Sequence, residues 1–273
     1  RFDDVAVAPL LDRALAVADG PAVALPPLTT MARLRQPFID AALHKVQPRT
    51  ILEVGAGQGA TGARLARHAT YVGVEPDMSS AAVAASRLAR VDNADFRMGG
   101  IERVGSDERF DLLCAFEVLE HIDDDVAALR AWTSHLNEGG HVLISVPAHA
   151  RRFGAADEAV GHFRRYDAVD VERLFASVGF EIVERRAYGA IGGHLLEAVR
   201  NVVIDRRGGN VADGAAPETK SAGSGRLFQP TTRLAGTLTA AAATPMRVAQ
   251  RPFAAGQFGV GWVVLARRKR GTV

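Results

Sequence analysis

The sequence predicts an α/β fold with a doubly wound, parallel sheet, on three observations. From 50 to 146, short apolar runs alternate with helix-like stretches. The run Phe110–Phe116 (FDLLCAF) is unbroken, as a strand buried on both faces requires. The first run ends in Gly55-Ala56-Gly57-Gln58-Gly59, and a helix-like stretch follows. Repeated βα units of this length put helices on both faces of a parallel sheet, with the ligand at the carboxyl ends of the strands.

The elements follow in order. Leu10–Ala18 has helical periodicity, and Pro21, Pro26 and Pro27 then interrupt the chain. Met31–Val46 forms a second helix, with a kink or a fresh start at Pro37. Strands are expected at Thr50–Val54, Tyr71–Glu75, Asp95–Met98, Phe110–Phe116 and His141–Val146, the last stopped by Pro147. Helices are expected at Ala60–His68, Ser79–Ala89 and Val126–Leu136, with Gly139-Gly140 ending the third. A polar loop, Ala148–Tyr166, precedes a helix at Val169–Ser177 and strands at Phe180–Ala187 and Gly259–Arg267. Between those strands, Ile191–Ile204 reads as a helix, and Leu227–Val248 as one or two, interrupted at Pro230 and Pro245. The Gly/Ala/Ser-rich stretch 208–225 reads as a mobile loop. This divides the chain into an N-terminal helical cap (1–48), a core (49–188), a helical insertion or lid (189–259), and a final strand with a basic tail (260–273). An oligomer contact or a packing hairpin is the competing reading of the insertion.

Glycines at 55, 57 and 59 permit positive φ and leave no Cβ between the backbone and a ligand. The following helix N-terminus favours a carboxylate or a phosphate. A dinucleotide loop has the spacing G-x-G-x-x-G; here Gly62 completes only a looser version, and a tight structural turn is the plain alternative. Glu75, ending strand two, can accept hydrogen bonds from both hydroxyls of a ribose. That identifies an adenosine ligand without separating cofactors.

Glu53-x-Gly55-x-Gly57-x-Gly59 resembles motif I of the class I S-adenosylmethionine (SAM) methyltransferases. The resemblance covers 50–187 well and 260–268 loosely. It implies a Rossmann-like, seven-stranded sheet whose last strand is antiparallel and enters beside strand six. It also implies SAM as cofactor, with Glu53 near the methionine amino group and Glu75 on the ribose. A side chain at Asp77 or Met78 would flank the adenine. The acid such enzymes often carry after strand three is missing at Gly100, leaving the Ile101 N–H or Glu102 as substitutes. The insertion 189–259 is longer than the family's usual connection.

Phe116-Glu117-Val118-Leu119-Glu120-His121-Ile122 directly follows strand four. If helical, Glu117, Glu120 and His121 face one side. They could hold a divalent cation, work as an acid/base pair, or be structural. The run resembles the ubiquinone-pathway O-methyltransferases and the small-RNA 3′-terminal 2′-O-methyltransferases. That resemblance implies Mg²⁺ or Mn²⁺ at Glu117, Glu120, His121 and His162, although the same run also occurs in methyltransferases with no known metal. Asp123-Asp124-Asp125 reads as a charged helix start.

The loop after strand five resembles the V-P-A…D-x-x-x-G-H-x-R-R-Y segment of methyltransferases related to the ubiquinone-pathway group. His162 and His121 are the catalytic candidates. His149, Arg164, Arg165 and Tyr166 are the acceptor-binding candidates, His149 alone being equally readable as a solvated loop residue.

Composition bounds the rest. The chain has 273 residues, 48% hydrophobic and 23% charged, which is the profile of a globular protein. A formal charge of +2 gives no electrostatic case for nucleic acid. Arg267-Arg268-Lys269-Arg270 reads as a solvated tail able to touch an anionic surface. Cys114 is the single cysteine and lies in a core strand, so no disulfide and no Cys-based metal site is expected. No apolar run of about 18 residues and no leader pattern appear, so a cytoplasmic location follows by default, with peripheral membrane contact or an oligomer left open. The chain begins at Arg1 without a methionine, which leaves room for an upstream segment.

The resulting expectation is SAM-dependent O-methylation of a sugar, glycolipid or other polyhydroxyl metabolite, with or without a divalent metal. A metal-independent methyltransferase of a phenol or quinol is the alternative. A nicotinamide dehydrogenase and a non-catalytic SAM-binding protein are the rivals from other classes.

Overall fold

The computed structural model describes residues 25–206 and 243–269. The expected helix Leu10–Ala18, the loop 208–225, residues 227–242 and Arg270 lie outside them.

The first described helix is α1 (Thr30–Val46). Thr29 caps it, accepting from the Ala32 N–H at 3.2 Å, and Pro37 lies inside without ending it. Then come β1 (Thr50–Val54), α2 (Gly62–Leu65), β2 (Thr70–Glu75), α3 (Met78–Leu88), β3 (Ala94–Met98) and β4 (Phe110–Phe116). They are followed by α4 (Asp125–Thr133), β5 (Leu136–Pro147), α5 (Ala155–Ala159), α6 (Ala168–Ser177), β6 (Phe180–Tyr188), α7 (Gly193–Arg206) and β7 (Gly261–Arg268). Residues 243–249 are also helical.

The seven strands form one sheet in the order β3-β2-β1-β4-β5-β7-β6. Strands β1 to β5 pair in parallel, and β7 runs antiparallel between β5 and β6. The expected doubly wound, Rossmann-like sheet with its reversed last strand is therefore present. Leu129 and Trp132 of α4 and Val171 and Phe175 of α6 cover one face. Leu34, Ile39 and Leu43 of α1, Leu65 of α2 and Leu88 of α3 cover the other. The carboxyl ends of β1, β2, β4 and β5 then gather the loops that start at Gly55, Pro76, Glu117 and Ala148.

Four local expectations are corrected. The helix expected at Ala60–His68 is only Gly62–Leu65, flanked by turns. Gly139-Gly140 does not end a helix: α4 stops at Thr133, and the glycines lie in a bulge of β5, where pairing jumps from Phe110↔Leu136 to Leu112↔His141. The segment Ala148–Tyr166 contains α5 and a 3₁₀ turn, Ala150–Arg152. Phe116–Ile122 is not an α-helix: Glu117 takes φ 59° and a single 3₁₀ turn spans Leu119–His121.

The insertion is docked where it is described. Buried Gln250 donates to the Leu34 carbonyl at 2.7 Å and accepts from the Gly189 N–H at 2.8 Å, tying it to α1 and to the end of β6. Arg267 pairs with Glu181, and Arg268 donates to the Thr133 carbonyl, so these two are not part of a free basic tail. Among the described residues, no helix is long and apolar enough to cross a membrane.

Candidate active site

The glycine loop uses its three glycines differently. All three have positive φ: 71° at Gly55, 54° at Gly57 and 73° at Gly59. A Cβ on Gly55 would lie 2.5 Å from Val118 Cγ2, and one on Gly59 would lie 3.1 Å from Ala84 Cα of α3. At Gly57 a Cβ would meet nothing within 4 Å, so this glycine faces open space where a ligand can approach.

Glu75 sits opposite. Its Oε2 accepts from the Gly57 N–H at 2.7 Å and its Oε1 from the Asp77 N–H at 2.9 Å. Burial raises its pKa, and those two hydrogen bonds oppose the rise. A carboxylate has about four acceptor sites, so Glu75 keeps capacity for two hydroxyls. Asp77 caps α3 through the Ser80 N–H, and Met78 is exposed at the rim. Ile101 opens a 3₁₀ turn beside them, and Glu102, weighed as a substitute adenine contact, folds back so that one of its oxygens accepts from the Gly100 N–H at 2.7 Å.

Glu53 is corrected. It is 2% exposed, beneath the loop, and accepts from the Tyr71 hydroxyl at 2.5 Å. Burial pushes its pKa up to about 8, against the Tyr71 hydrogen bond and the charge of Arg35. It braces β1 against β2.

Arg35 of α1 is a residue that the sequence reading missed. It lies 3.5 Å from Glu117 Oε1 and 5.8 Å from the centre of the Phe116 ring. Its Nε is buried without a partner. Nothing in the α1 pattern separates this arginine from Arg33, and only the fold brings it to the end of β4. Glu117 is the hub there, accepting from the Ser145 hydroxyl at 2.7 Å and the Tyr188 hydroxyl at 3.0 Å.

The turn at Glu117 changes the acid–histidine cluster. A helix would have set Glu117 over His121; the positive φ sends it to Ser145 and Tyr188 instead, so the expected four-residue metal set loses Glu117. Glu120, His121 and His162 remain together, with one ligand atom of each within 4.8 Å of the others. The two imidazoles meet edge to face at 4.6 Å between centres. Glu120 is fully buried, and both its oxygens lack a hydrogen-bond partner, as does His121 Nδ1. Burial first, then Glu117, raises the Glu120 pKa well above the carboxylate range. Burial first, then His162, lowers His121 to about 4. A neutral imidazole and an orphaned carboxyl fit a small divalent cation with oxygen and nitrogen ligands, whose charge would hold Glu120 ionised.

His162 is held from behind. Its Nδ1 lies 2.8 Å from Asp157 Oδ1, and its Nε2 lies 3.9 Å from Glu120 Oε1. Burial pushes the Asp157 pKa up, but the hydrogen bonds from His162 and Arg165 outweigh it, and the net shift is downward.

The acceptor candidates divide. His149 takes φ 66° and packs edge to face on Trp262 at 5.5 Å. It borders an open cleft of about 520 Å³ with Arg152, His194, Gln257 and Phe258. Glu117 directly follows β4 and His149 lies two residues beyond β5; both are non-glycine residues with positive φ, and such strain collects at working sites. Arg164 reaches the Asp123 carbonyl at 2.5 Å and Asp125 at 3.1 Å. Arg165 and Tyr166 are corrected, because both turn inward. Arg165 is 4% exposed and pairs with Asp157 and with Glu197 of α7. Tyr166 is 3% exposed and donates to Asp125 Oδ2 at 2.8 Å. Both side chains are buried and face partners within the protein. Asp125 is thus a partner of this loop, while Asp124 caps α4.

Comparison with known proteins fits this geometry. The family described as "Methyltransferase domain" matches residues 29–185. A ubiquinone biosynthesis O-methyltransferase of Alkalilimnicola ehrlichii is 34% identical over 125 residues, 44% of this chain and 50% of that protein. One from Xanthomonas axonopodis pv. citri is 31% identical over 136 residues, 47% of this chain and 54% of that protein. The chain spans about half the length of these curated relatives. Among solved structures, a SAM-dependent methyltransferase from Thiobacillus denitrificans in complex with S-adenosyl-L-homocysteine superposes with a TM-score of 0.52 and 18% identity, covering 94% of this chain and 98% of that one. The [4+2]-cyclase SpnF gives a TM-score of 0.57 and 17% identity, covering 97% and 93%. At such identities they show the fold alone. The family match takes in α1, the glycine loop, the Glu75 turn, the acid–histidine cluster and most of β6, more than half of the chain, and the protein belongs to this family of SAM-dependent methyltransferases.

Proposed function

We propose that this protein transfers the methyl group of SAM to a hydroxyl of an acceptor that carries adjacent oxygens. The supporting observation is the Glu120–His121–His162 cluster at the strand rim, in which Glu120 is buried and three polar atoms lack partners. Gly57 and Glu75 hold the adenosine end of the donor. Arg35 offers its unpartnered N–H to the donor's carboxylate.

Transfer is an in-line displacement. The acceptor oxygen attacks the methyl carbon, the C–S electron pair stays on sulfur, and neutral S-adenosyl-L-homocysteine leaves. Placement of the two reactants contributes most of the acceleration. Mg²⁺ or Mn²⁺ held by Glu120, His121 and His162 would act as a Lewis acid that lowers the pKa of the hydroxyl. Without it, the hydroxyl proton passes to His162 Nε2. The sulfonium loses its charge in the step, so a dry pocket favours it.

Two acceptor classes compete. A sugar, glycolipid or other polyhydroxyl compound suits the polar loop after β5. With Arg165 and Tyr166 turned inward, that reading loses two of its four loop candidates. The relatives named for ubiquinone biosynthesis add weight to a phenol or quinol. Methyl-labelled SAM incubated with extracts of the source cells, split into lipid, polysaccharide and small-molecule fractions with and without EDTA, separates them. Label in one fraction names the acceptor class. Abolition by EDTA and restoration by Mg²⁺ or Mn²⁺ supports the cation, whereas EDTA-resistant label leaves His162 as the base. SAM binding without label in any fraction, or with purified candidates, favours a binding protein.

A further inference from the structure

We infer that Asp157 is a positioning residue for the transfer step: it holds His162 as the Nδ1–H tautomer and so aims an unprotonated Nε2 at the reaction rim. The inference rests on the methyl-transfer reading above. Asp157 is fully buried in α5, five residues before His162. Oδ2 accepts from the Gly154 N–H at 3.0 Å, from Arg165 Nε at 2.9 Å and from Arg165 Nη2 at 2.8 Å. Each of these partners can only donate, so Oδ2 carries no proton, and the net downward shift of the Asp157 pKa keeps Oδ1 an acceptor as well. The remaining oxygen, Oδ1, faces His162 Nδ1 at 2.8 Å, and that nitrogen must therefore carry a proton. In neutral imidazole the other nitrogen is then the lone-pair atom. Here it points toward Glu120 Oε1 at 3.9 Å.

The backbone repeats the arrangement. The His162 N–H donates to the Asp157 carbonyl at 2.9 Å, and the Phe163 N–H to the Glu120 carbonyl at 2.7 Å. The imidazole is thus fixed to its own loop and to the turn that carries Glu120 and His121. Arg165 extends the brace to Glu197 of α7, and Arg152 meets the same carboxylate at 2.5 Å.

Asp157→Asn tests the inference sharply. The Gly154 and Arg165 donors require an oxygen at the Oδ2 position, so the new NH₂ faces His162 and favours the Nε2–H tautomer. The readout is the long-range ¹H–¹⁵N spectrum of the His162 ring in the full chain without metal, donor or acceptor, assigned with His162→Gln. The unaltered protein should show a protonated Nδ1, and Asp157→Asn a protonated Nε2. Methyl transfer into the fraction that the unaltered protein labels should fall by about 10–100-fold, the usual loss on removing a histidine's orienting carboxylate, with SAM affinity unchanged. Glu197→Gln loosens Arg165 from outside and should keep the Nδ1–H tautomer. A protonated Nε2 in the unaltered protein overturns the inference, even if Asp157→Asn does not fold. So does an Asp157→Asn protein with unchanged tautomer or unchanged transfer, or loss of the tautomer in Glu197→Gln. Failure of the methyltransferase reading would appear separately, as absence of SAM binding by the unaltered protein.

Discussion

The Gly57 N–H donates to Glu75 Oε2 at 2.7 Å, joining the loop after β1 to the end of β2. The contact fixes the acid before any ligand arrives and leaves Gly57 bare toward the open side. Gly57→Ala would force a residue with a Cβ into φ 54°, at a cost of about 1–2 kcal/mol, and place a methyl group on the donor's side. The expected outcome in calorimetric titration is a SAM affinity at least about 10-fold weaker (the ~1.4 kcal/mol equivalent), with only a modest fall in melting temperature.

Glu53 makes stability pH-dependent. Its folded pKa, about 8, lies above the ordinary 4.5, so the folded state binds the extra proton. Its stabilising contribution is complete below about pH 4.5 and is lost as pH rises through about 8. Glu53→Gln keeps an acceptor for the Tyr71 hydroxyl and never ionises. Urea unfolding at pH 5, 6.5 and 8 should show a smaller loss of stability with rising pH in Glu53→Gln than in the unaltered protein. Equal slopes would remove Glu53 from this role.

Arg165 and Asp157 form a buried ion pair at 2.8 Å. Arg165→Met removes one partner and leaves the Asp157 and Glu197 carboxylates facing each other, a change that typically costs about 3–5 kcal/mol. Thermal unfolding should show a large drop. Arg164→Met, at a partly exposed site, should cost well under about 1 kcal/mol.

Electron spin resonance titration with Mn²⁺ separates the two glutamates of the run. Glu120→Gln should weaken Mn²⁺ binding at least about 10-fold. Glu117→Gln should leave it near the unaltered value, because Glu117 is engaged by Ser145 and Tyr188. The reverse order would restore the helical arrangement that the turn at Glu117 replaces.

The sheet was legible because unbroken apolar runs and glycine turns are local signals, and each expected strand overlaps an observed one. Glu75 was legible as a strand end and Gly57 as part of the glycine loop, but the hydrogen bond between them appears only in the fold. What stayed hidden depended on three dimensions. The positive φ at Glu117 has no signature in a glutamate, so helical periodicity placed it wrongly over His121. Arg165 and Tyr166 read as surface donors because Asp157, Glu197 and Asp125, which bury them, are 8, 32 and 41 residues away in sequence. Arg35 belongs to a helix whose contact with the end of β4 no local pattern announces.

The most direct measurement of the central claim uses SAM with a trideuterated methyl group and locates the label in the purified product by mass spectrometry. The proposed function predicts a trideuteromethyl group on an oxygen of the acceptor, one equivalent of S-adenosyl-L-homocysteine per label, and loss of both in His162→Ala. Label on nitrogen or carbon, or transfer by His162→Ala at the unaltered rate, would contradict it.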